Sequence, residues 1–126
     1  MHAFRRDLER SLTMPPAFPG SVRFESRVKS AQRQGGKAVR CRDQLGVRVI
    51  YTPSGCDHLA YAISDRVMEL FAGVDLTKDY IARPKPDTHY RSLHLEVPYI
   101  GGTQMELQVR DEAMHLRATC DGYHIR

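Results

Sequence analysis

Apolar and polar residues alternate along several stretches of the chain, and this two-residue period predicts β-strands. Residues 21–29 (SVRFESRVK) place mostly apolar side chains on one face and charged side chains on the other. Residues 90–97 (YRSLHLEV) and 105–110 (MELQVR) alternate in the same way, and the glycine-containing segment between them predicts a hairpin. Residues 45–51 (LGVRVIY) are rich in valine and isoleucine and predict a buried strand. A further short strand is predicted at residues 79–83.

Helical spacing of apolar residues marks three other stretches. Residues 1–12 carry an apolar residue at every fourth position, and the proline-rich segment MPPAFPG ends the helix that they predict. A longer apolar stripe predicts a helix capped by Ser54 and ending near Gly73. Asp111 is predicted to cap a last helix over residues 112–119.

Strands with one apolar face, combined with helices, predict a mixed α/β (α+β) fold in which the apolar faces pack against helices. The length of 126 residues favours a single domain. Residues 1–20 would be an N-terminal helix with a proline-rich lead-in, and residues 21–126 would form the domain itself.

The composition excludes several classes of protein. Hydrophobic residues make up 41% and charged residues 27%, which is typical of a globular chain and not of a disordered one. The sequence contains no apolar run long enough for a transmembrane helix and begins without a secretory signal. Three cysteines without a CxxC pair favour a reducing, cytoplasmic compartment over a disulfide framework. The net charge of +4 suits a polyanionic ligand, but it more often serves solubility.

The polar faces of the predicted hairpin carry candidate chemistry. Tyr90, Ser92 and His94 share a face of one strand, while Glu106, Gln108 and Arg110 share a face of the next. If the two strands pair, an aromatic ring, a carboxylate and a cation lie on one platform, which suits a nucleotide. The alternative is an ordinary solvent-facing side of an amphipathic hairpin.

Two carboxylates are candidate Mg²⁺ ligands. Asp43 precedes a predicted strand and Glu106 lies within another, and Mg²⁺ in phosphoryl-transfer sites is held by such oxygen ligands. Taken singly, either carboxylate is more often a surface charge. The sequence has neither a GxxxxGK[ST] loop nor a GxGxxG motif, so phosphates would need other cations. Basic candidates are Arg27, Lys29, Lys37, Arg48, Lys78 and Lys85.

Five motifs in this order resemble the synthetase domain of the RelA/SpoT family, which makes the alarmones guanosine tetra- and pentaphosphate. The segment DYIARPK followed by YRSLHLEV is similar to the family pattern DYIAxPKxNGYQSLHT. The other similar segments are RVK with Lys37, DQLGVRVI, MELQVR and the following Met-His pair, so that the resemblance covers residues 22–118.

The resemblance implies a nucleotidyltransferase-like mixed sheet flanked by helices, and a Mg²⁺-dependent transfer of the β,γ-pyrophosphate of ATP to the 3′-hydroxyl of GDP or GTP. It implies that Asp43 and Glu106 bind Mg²⁺, that Glu106 also activates the 3′-hydroxyl, and that Tyr90 stacks on the guanine. It further implies ATP-phosphate binding by Arg27, Lys29, Lys37 and Arg48, and an acceptor site lined by Lys85, His94, Gln108, Arg110 and His115.

The chain departs from the family pattern in places, and several readings stay open. Asp87 stands where the family has asparagine. Leu76 stands where it has arginine, and because the segment Leu76–Asp79 fits neither family subtype, GDP and GTP are not distinguished. A catalytically weakened nucleotide-binding module is one alternative, and a small relative that pyrophosphorylates the 3′ end of tRNA is another. A homo-oligomer or a partner domain would complete a shortened domain of this kind.

Overall fold

A five-stranded mixed sheet forms the centre of the structure. The structure is a computed structural model, and it describes residues 2–13, 20–29, 33–34, 37–38, 44–98 and 104–120. The described helices are α1 (His2–Thr13), α2 (Asp57–Leu70) and α3 (Glu112–Cys120). The described strands are β1 (Ser21–Lys29), β2 (Arg33–Gln34), β3 (Lys37–Ala38), β4 (Gln44–Thr52), β5 (Asp75–Asp79), β6 (Leu93–Pro98) and β7 (Gln104–Asp111).

The strand order places β7 at the centre of the large sheet, between β4 and β6. The sheet runs β1-β4-β7-β6-β5, and β2 pairs with β3 in a separate two-stranded ribbon. All neighbours in the large sheet are antiparallel except β4 and β7, which are parallel. The mixed α/β fold predicted from the sequence is therefore confirmed.

One face of this sheet forms the hydrophobic core. Alternate residues of β4, β6 and β7 are buried and pack with α1 and α2 in one apolar cluster, because a two-residue period sends every second side chain to the same face. Each fully buried Val or Leu stabilises the fold by roughly 1.5–3 kcal/mol relative to an exposed one. The sheet residues of the cluster are Val47, Val49, Tyr51, Leu93, Leu95, Val97, Met105, Leu107 and Val109.

Helix α1 is fixed to this core by both apolar and polar contacts. Leu8 and Leu12 are buried in the cluster, as their four-residue spacing predicted. The Arg5 guanidinium donates to Ser26 Oγ at 2.7 Å and to the Phe24 carbonyl at 3.0 Å. These contacts join α1 to β1. The division into residues 1–20 and 21–126 stays a prediction.

Most predicted elements are confirmed, and the strand at residues 79–83 is wrong. Strand β5 lies earlier and ends at Asp79, because the Asp79 side chain turns the chain there. Its Oδ1 accepts hydrogen bonds from the backbone N–H groups of Ile81 and Ala82 at 3.0 and 2.9 Å, which replaces the strand ladder with a turn. None of the described helices is long and apolar enough to cross a membrane.

The ends of the helices also differ in part from prediction. Helix α2 begins at Asp57 after Cys56, and the Ser54 hydroxyl instead accepts from the Ala113 N–H at the start of α3. The predicted cap at Ser54 is therefore wrong. Asp111 does cap α3, with Oδ1 accepting from the Met114 N–H at 2.8 Å.

Candidate functional site

The polar face of the sheet aligns polar and charged side chains in one row across all five strands. The register pairs Glu25 of β1 with Arg48 of β4, and Arg48 with Gln108 of β7. Gln108 pairs in turn with His94 of β6, and His94 with Lys78 of β5. Residues directly opposite on neighbouring strands lie close enough to interact, so the strand order alone concentrates these groups.

Glu106 lies on the same face as this row and is held by its neighbours. Gln108 donates from Nε2 to Glu106 Oε1 at 2.7 Å, and Arg48 donates from Nε to Gln108 Oε1 at 3.0 Å. The amide of Gln108 is thus oriented from both ends. The Glu106 side chain keeps 27% of its surface exposed, so an incoming ligand can reach its carboxylate.

Tyr90, His94, Arg110 and His115 continue the contacts on the other side of the row. The Tyr90 hydroxyl lies 2.9 Å from His94 Nε2, and Arg110 donates to that hydroxyl at 3.4 Å. The second terminal nitrogen of Arg110 lies 2.8 Å from His115 Nδ1. Arg110 is only 2% exposed, so its side chain is enclosed by protein neighbours and has little contact with solvent.

Three longer polar contacts close these side chains into a ring. His94 Nδ1 lies 3.9 Å from Glu106, while Glu25 lies 3.6 Å from both Arg48 and His115. We call this set the polar ring. Its members are Glu25, Arg48, Gln108, Glu106, His94, Tyr90, Arg110 and His115.

The contact with Arg110 defines the tautomer of His115. A guanidinium only donates, so Nδ1 of His115 accepts, and its Nε2 carries the proton toward Glu25. The His115 ring is therefore neutral.

Burial favours the neutral form of both histidines. It lowers the pKa of His94 to about 4, with the positive charges of Lys78, Lys85 and Arg110 acting in the same direction and Glu106 opposing them. Burial and the Arg110 charge also lower the pKa of His115. The site thus holds two uncharged imidazoles at neutral pH.

Acidification is expected to destabilise the protein through His94. Its pKa lies below the value of about 6.5 in an unfolded chain, so the unfolded state binds more protons between these values. The stabilisation is complete above about pH 6.5 and is lost as the pH falls toward 4. Between pH 7.5 and pH 5, wild type should lose on the order of 2 kcal/mol more unfolding free energy than His94→Asn, measured by urea denaturation.

A second histidine provides the control for this experiment. His58 is exposed on α2, away from the polar ring, and His58→Asn should retain the pH dependence of wild type. An equal pH dependence in wild type and His94→Asn would contradict the assignment.

An aromatic group stands beside the polar ring. The rings of Tyr80, Tyr90 and His94 meet edge to face, with centroids 5.3–5.7 Å apart. The Lys85 ammonium lies 5.0 Å from the centroid of Tyr80 and 5.5 Å from that of Tyr90. The faces of the aromatic rings attract the Lys85 ammonium, and the edge-to-face contacts hold the rings in a defined orientation.

The loop before β6 is held by its own backbone, which fixes Tyr90. The His89 N–H donates to the Lys85 carbonyl at 2.7 Å, and the Lys85 N–H donates to the Tyr90 carbonyl at 3.2 Å. His89 has a φ of 57°, a left-handed conformation that histidine adopts more readily than most side chains. Tyr90 thus lies at the end of a loop that is closed by backbone hydrogen bonds.

A cavity of about 260 Å³ opens next to Tyr90. It lies between the segment His89–Arg91 and α3, with Gly55 at one side. Met114 and Ala118 supply apolar walls, and Arg117 lines it from α3. Concave sites with apolar walls and a few polar groups are typical of small-ligand binding.

The structure brings together most of the predicted site residues. Arg48, Tyr90, His94, Glu106, Gln108, Arg110 and His115 all belong to the polar ring, and Lys85 adjoins it. Asp43 lies outside the described residues. For Arg27, Lys29 and Lys37 the structure describes the strand backbone only, and the register places Arg27 opposite Gly46, whose other partner is Glu106.

Two residues of the site were missed from the sequence. Glu25 lies on the charged face of the first strand, but alternation does not tell which strand will be its neighbour. Tyr80 stands in the DYIA segment, which was assigned to a strand and not to the turn that carries it. The sequence did contain a signal for this turn, because aspartate favours turns and Asp79 directly precedes the aromatic Tyr80.

Within the described residues, no group of three or more His, Cys, Asp or Glu could hold a metal ion by itself. A Mg²⁺ ion bound to nucleotide needs only one or two protein carboxylates, since waters and phosphates supply the rest. Glu106 is such a carboxylate. Asp43 directly precedes β4, whose Gly46 pairs with Glu106. The residues present therefore fit a Mg²⁺ ion that arrives with its substrate.

Residues 23–124 match the sequence profile of the region found in RelA / SpoT proteins. A protein of Arabidopsis thaliana described as a probable chloroplastic GTP diphosphokinase, CRSH, is 36% identical over 103 residues. That alignment covers 70% of this chain and 18% of the relative, so the chain corresponds to a small part of that protein. A solved structure of the small alarmone synthetase 1 from Bacillus subtilis is also similar. It has a TM-score of 0.46 and 23% identity over 63% of this chain and 43% of the other.

Proposed function

The chain belongs to the RelA/SpoT family, and from this premise we propose that it transfers the β,γ-pyrophosphate of ATP to the 3′-hydroxyl of GDP or GTP. The polar ring around Glu106 is the single observation that carries the proposal. Seven residues that the family pattern assigns to catalysis and substrate binding come from three separate segments of the chain, and they meet in one contact network. An ordinary solvent-facing sheet surface gives no reason for such convergence.

The charge of the site suits two nucleotides. Arg48, Arg110, Lys78 and Lys85 lie on or beside the polar face, against the carboxylates of Glu25 and Glu106. This excess of cations favours polyphosphate chains, and the planar guanidinium of Arg48 can bind two phosphate oxygens at once. We assign the ATP phosphates to Arg48, with Arg27, Lys29 and Lys37 from the preceding strands.

Glu106 is the group that we assign to the acceptor hydroxyl. In the transfer, the 3′-oxygen forms a bond to the β-phosphorus of ATP, the bond from that phosphorus to the α,β-bridging oxygen breaks, and AMP leaves. The hydroxyl proton goes to the Glu106 carboxylate, which Gln108 holds at 2.7 Å. Glu106 and Asp43 would hold Mg²⁺, which when bound would supply neutralisation of the charge that develops in the transfer.

Tyr90 is the residue that we assign to the acceptor base. Its hydroxyl is held by Arg110 and His94, so the plane of its ring is fixed before a ligand arrives. Stacking of a base on an aromatic side chain stabilises binding by roughly 1–3 kcal/mol. The cavity beside Tyr90 provides the space for the base.

A labelled-ATP assay tests the proposed function. Purified protein with Mg²⁺, ATP labelled in its β- or γ-phosphate and GDP or GTP is expected to give labelled guanosine tetra- or pentaphosphate together with an equal amount of AMP. Omission of the guanine nucleotide should remove both products.

Other outcomes would replace the proposal by an alternative. Tight binding of GDP without product would identify a nucleotide-binding module. Labelling of the 3′ end of tRNA in place of GDP would identify an RNA acceptor, whose binding should weaken steeply with salt.

A further inference from the structure

Glu25 lies between two arginines at the β1 side of the polar face. Its Oε2 accepts a hydrogen bond from Arg23 Nη1 at 2.9 Å, and its Oε1 lies 3.6 Å from Arg48 Nη1. The first contact is a hydrogen bond, whereas the second is longer than a hydrogen bond and is an ion pair only. The carboxylate is therefore anchored on Arg23 and extends toward Arg48.

Strand pairing and helix α3 hold this carboxylate in place. Glu25 lies directly opposite Arg48 in the register of β1 and β4. Arg23 in turn donates to Glu112 of α3 through two hydrogen bonds, at 2.6 and 3.0 Å. Burial opposes ionisation of Glu25, but the hydrogen bond from Arg23 and the neighbouring positive charges together outweigh it, so the pKa of Glu25 lies below its ordinary value. Glu25 is thus a fixed negative charge at neutral pH.

Arg48 is held by contacts at two of its nitrogens. Its Nε donates to Gln108 Oε1 at 3.0 Å, while Nη1 faces Glu25. The Arg48 side chain keeps 16% of its surface exposed and that of Glu25 keeps 36%, so both can be reached from solvent. An anion that binds Arg48 therefore meets the Glu25 carboxylate beside it.

Resting on the assignment of the ATP phosphates to Arg48, we propose that Glu25 is a positioning residue of the ATP site, which holds the Arg48 guanidinium until ATP binds and then yields it to a phosphate oxygen. Carboxylate and phosphate oxygens are alternative partners of a guanidinium. A phosphate oxygen at hydrogen-bond distance replaces the ion pair at 3.6 Å by a stronger contact. Separation of this pair, and the approach of phosphate to a carboxylate, lower the affinity for ATP.

The anchor on Arg23 limits the cost of this exchange. When Arg48 turns to a phosphate, Oε2 of Glu25 keeps the hydrogen bond from Arg23 and the 3.6 Å contact with His115 Nε2. A carboxylate left without any partner would be far more costly. Glu25 therefore weakens ATP binding by a moderate factor and does not block the site.

Glu25→Gln separates the charge of this side chain from its shape. The amide can still accept from Arg23, but it no longer pairs with Arg48 as an anion, so ATP should bind more tightly. The probe is α,β-methylene-ATP, in which a methylene group replaces the bridging oxygen that the transfer would release. With Mg²⁺ present, its equilibrium dissociation constant, measured by isothermal titration calorimetry, should fall about 3- to 10-fold. Glu25→Thr, a residue that strands favour, is a second variant and should give the same gain.

Glu112 provides a matched control, because it pairs with the same arginine. Its carboxylate lies 2.6 Å from Arg23, but it belongs to α3 and not to the strand that faces Arg48. Glu112→Gln also removes one negative charge, and its affinity for α,β-methylene-ATP should stay within about twofold of wild type. An equal gain in Glu25→Gln and Glu112→Gln would trace the effect to net charge and overturn the role of Glu25.

A double substitution tests whether Glu25 acts through Arg48. Arg48→Gln alone should weaken binding of the analogue, since a phosphate contact is lost. In that background Glu25→Gln should change the dissociation constant by less than about twofold, because the pair that ATP must separate no longer exists. A full gain in the absence of Arg48 would contradict the proposal.

Turnover gives a readout that a purely structural role of Glu25 would not produce. Glu25 opposes ATP binding in the ground state and in the transition state alike, so Glu25→Gln should lower KM for ATP by a larger factor than it changes kcat. A fall in kcat with an unchanged KM for ATP would overturn the proposal.

Binding and turnover together separate this inference from the proposed function. An unchanged affinity of Glu25→Gln for the ATP analogue, with pyrophosphate transfer by wild type, would overturn the role of Glu25 alone. Tighter binding by the variant, without transfer by either protein, would support Glu25 and overturn the transferase. Absence of binding of the ATP analogue to wild type and variant would overturn both.

Discussion

Replacement of Glu106 by Gln is expected to lower kcat for pyrophosphate transfer by about 100-fold or more, because an amide cannot accept the proton of the 3′-hydroxyl. Glutamine has the shape of glutamate and can still accept the hydrogen bond that Gln108 donates at 2.7 Å. The fold should therefore remain. Rates of labelled product and AMP formation, measured with saturating ATP and acceptor, report the change.

Glu69 supplies a matched control for that experiment. It is exposed on α2, which packs against the other face of the sheet. Glu69→Gln should leave kcat within about twofold of wild type, because it removes the same charge away from the polar ring. A Glu106→Gln variant that retained more than a tenth of the wild-type kcat would exclude Glu106 as the base.

Leu107→Ala is expected to lower the free energy of unfolding by about 3 kcal/mol, within the usual range of 2–5 kcal/mol for a buried leucine. Leu107 is 0% exposed, lies in the middle of β7 and packs into the core against α2. A domain of this kind is stable by only about 5–15 kcal/mol, so the loss is a large share. Urea denaturation followed by circular dichroism measures it.

Leu116 provides the surface comparison. It is 61% exposed on α3, and Leu116→Ala should change the free energy of unfolding by no more than about 0.5 kcal/mol. Similar losses for the two variants would mean that the sheet face carrying Leu107 is not the packed core.

The sequence was informative wherever a property depended on neighbours along the chain. Alternation in SVRFESRVK and MELQVR gave the strands and their polar faces, and the spacing of Leu8 and Leu12 gave α1. These patterns are local, because the side-chain period of a strand or helix is set by backbone geometry alone. The assignment of roles to Glu106 and Tyr90 came from the family resemblance and not from the patterns.

Properties that depend on strand order could not be predicted in the same way. Glu25 reaches the polar ring only because β1 pairs with β4, and β4 with β7. No local sequence pattern indicates that β4 and β7 run parallel. The strand predicted at 79–83 failed for a related reason, since the Asp79 side chain competes with the ladder for the N–H groups of Ile81 and Ala82.

The parallel pairing of β4 with β7 also has a consequence for the folding kinetics of the chain. The connection between the two strands runs from residue 53 to residue 103 and contains β5 and β6. The sheet therefore has a high relative contact order, and such topologies fold in milliseconds to seconds because loop closure precedes the stabilising contacts. As a ribosome releases the chain, β1 and β4 can form a hairpin early, but Glu106 joins Arg48 only after β7 has been synthesised.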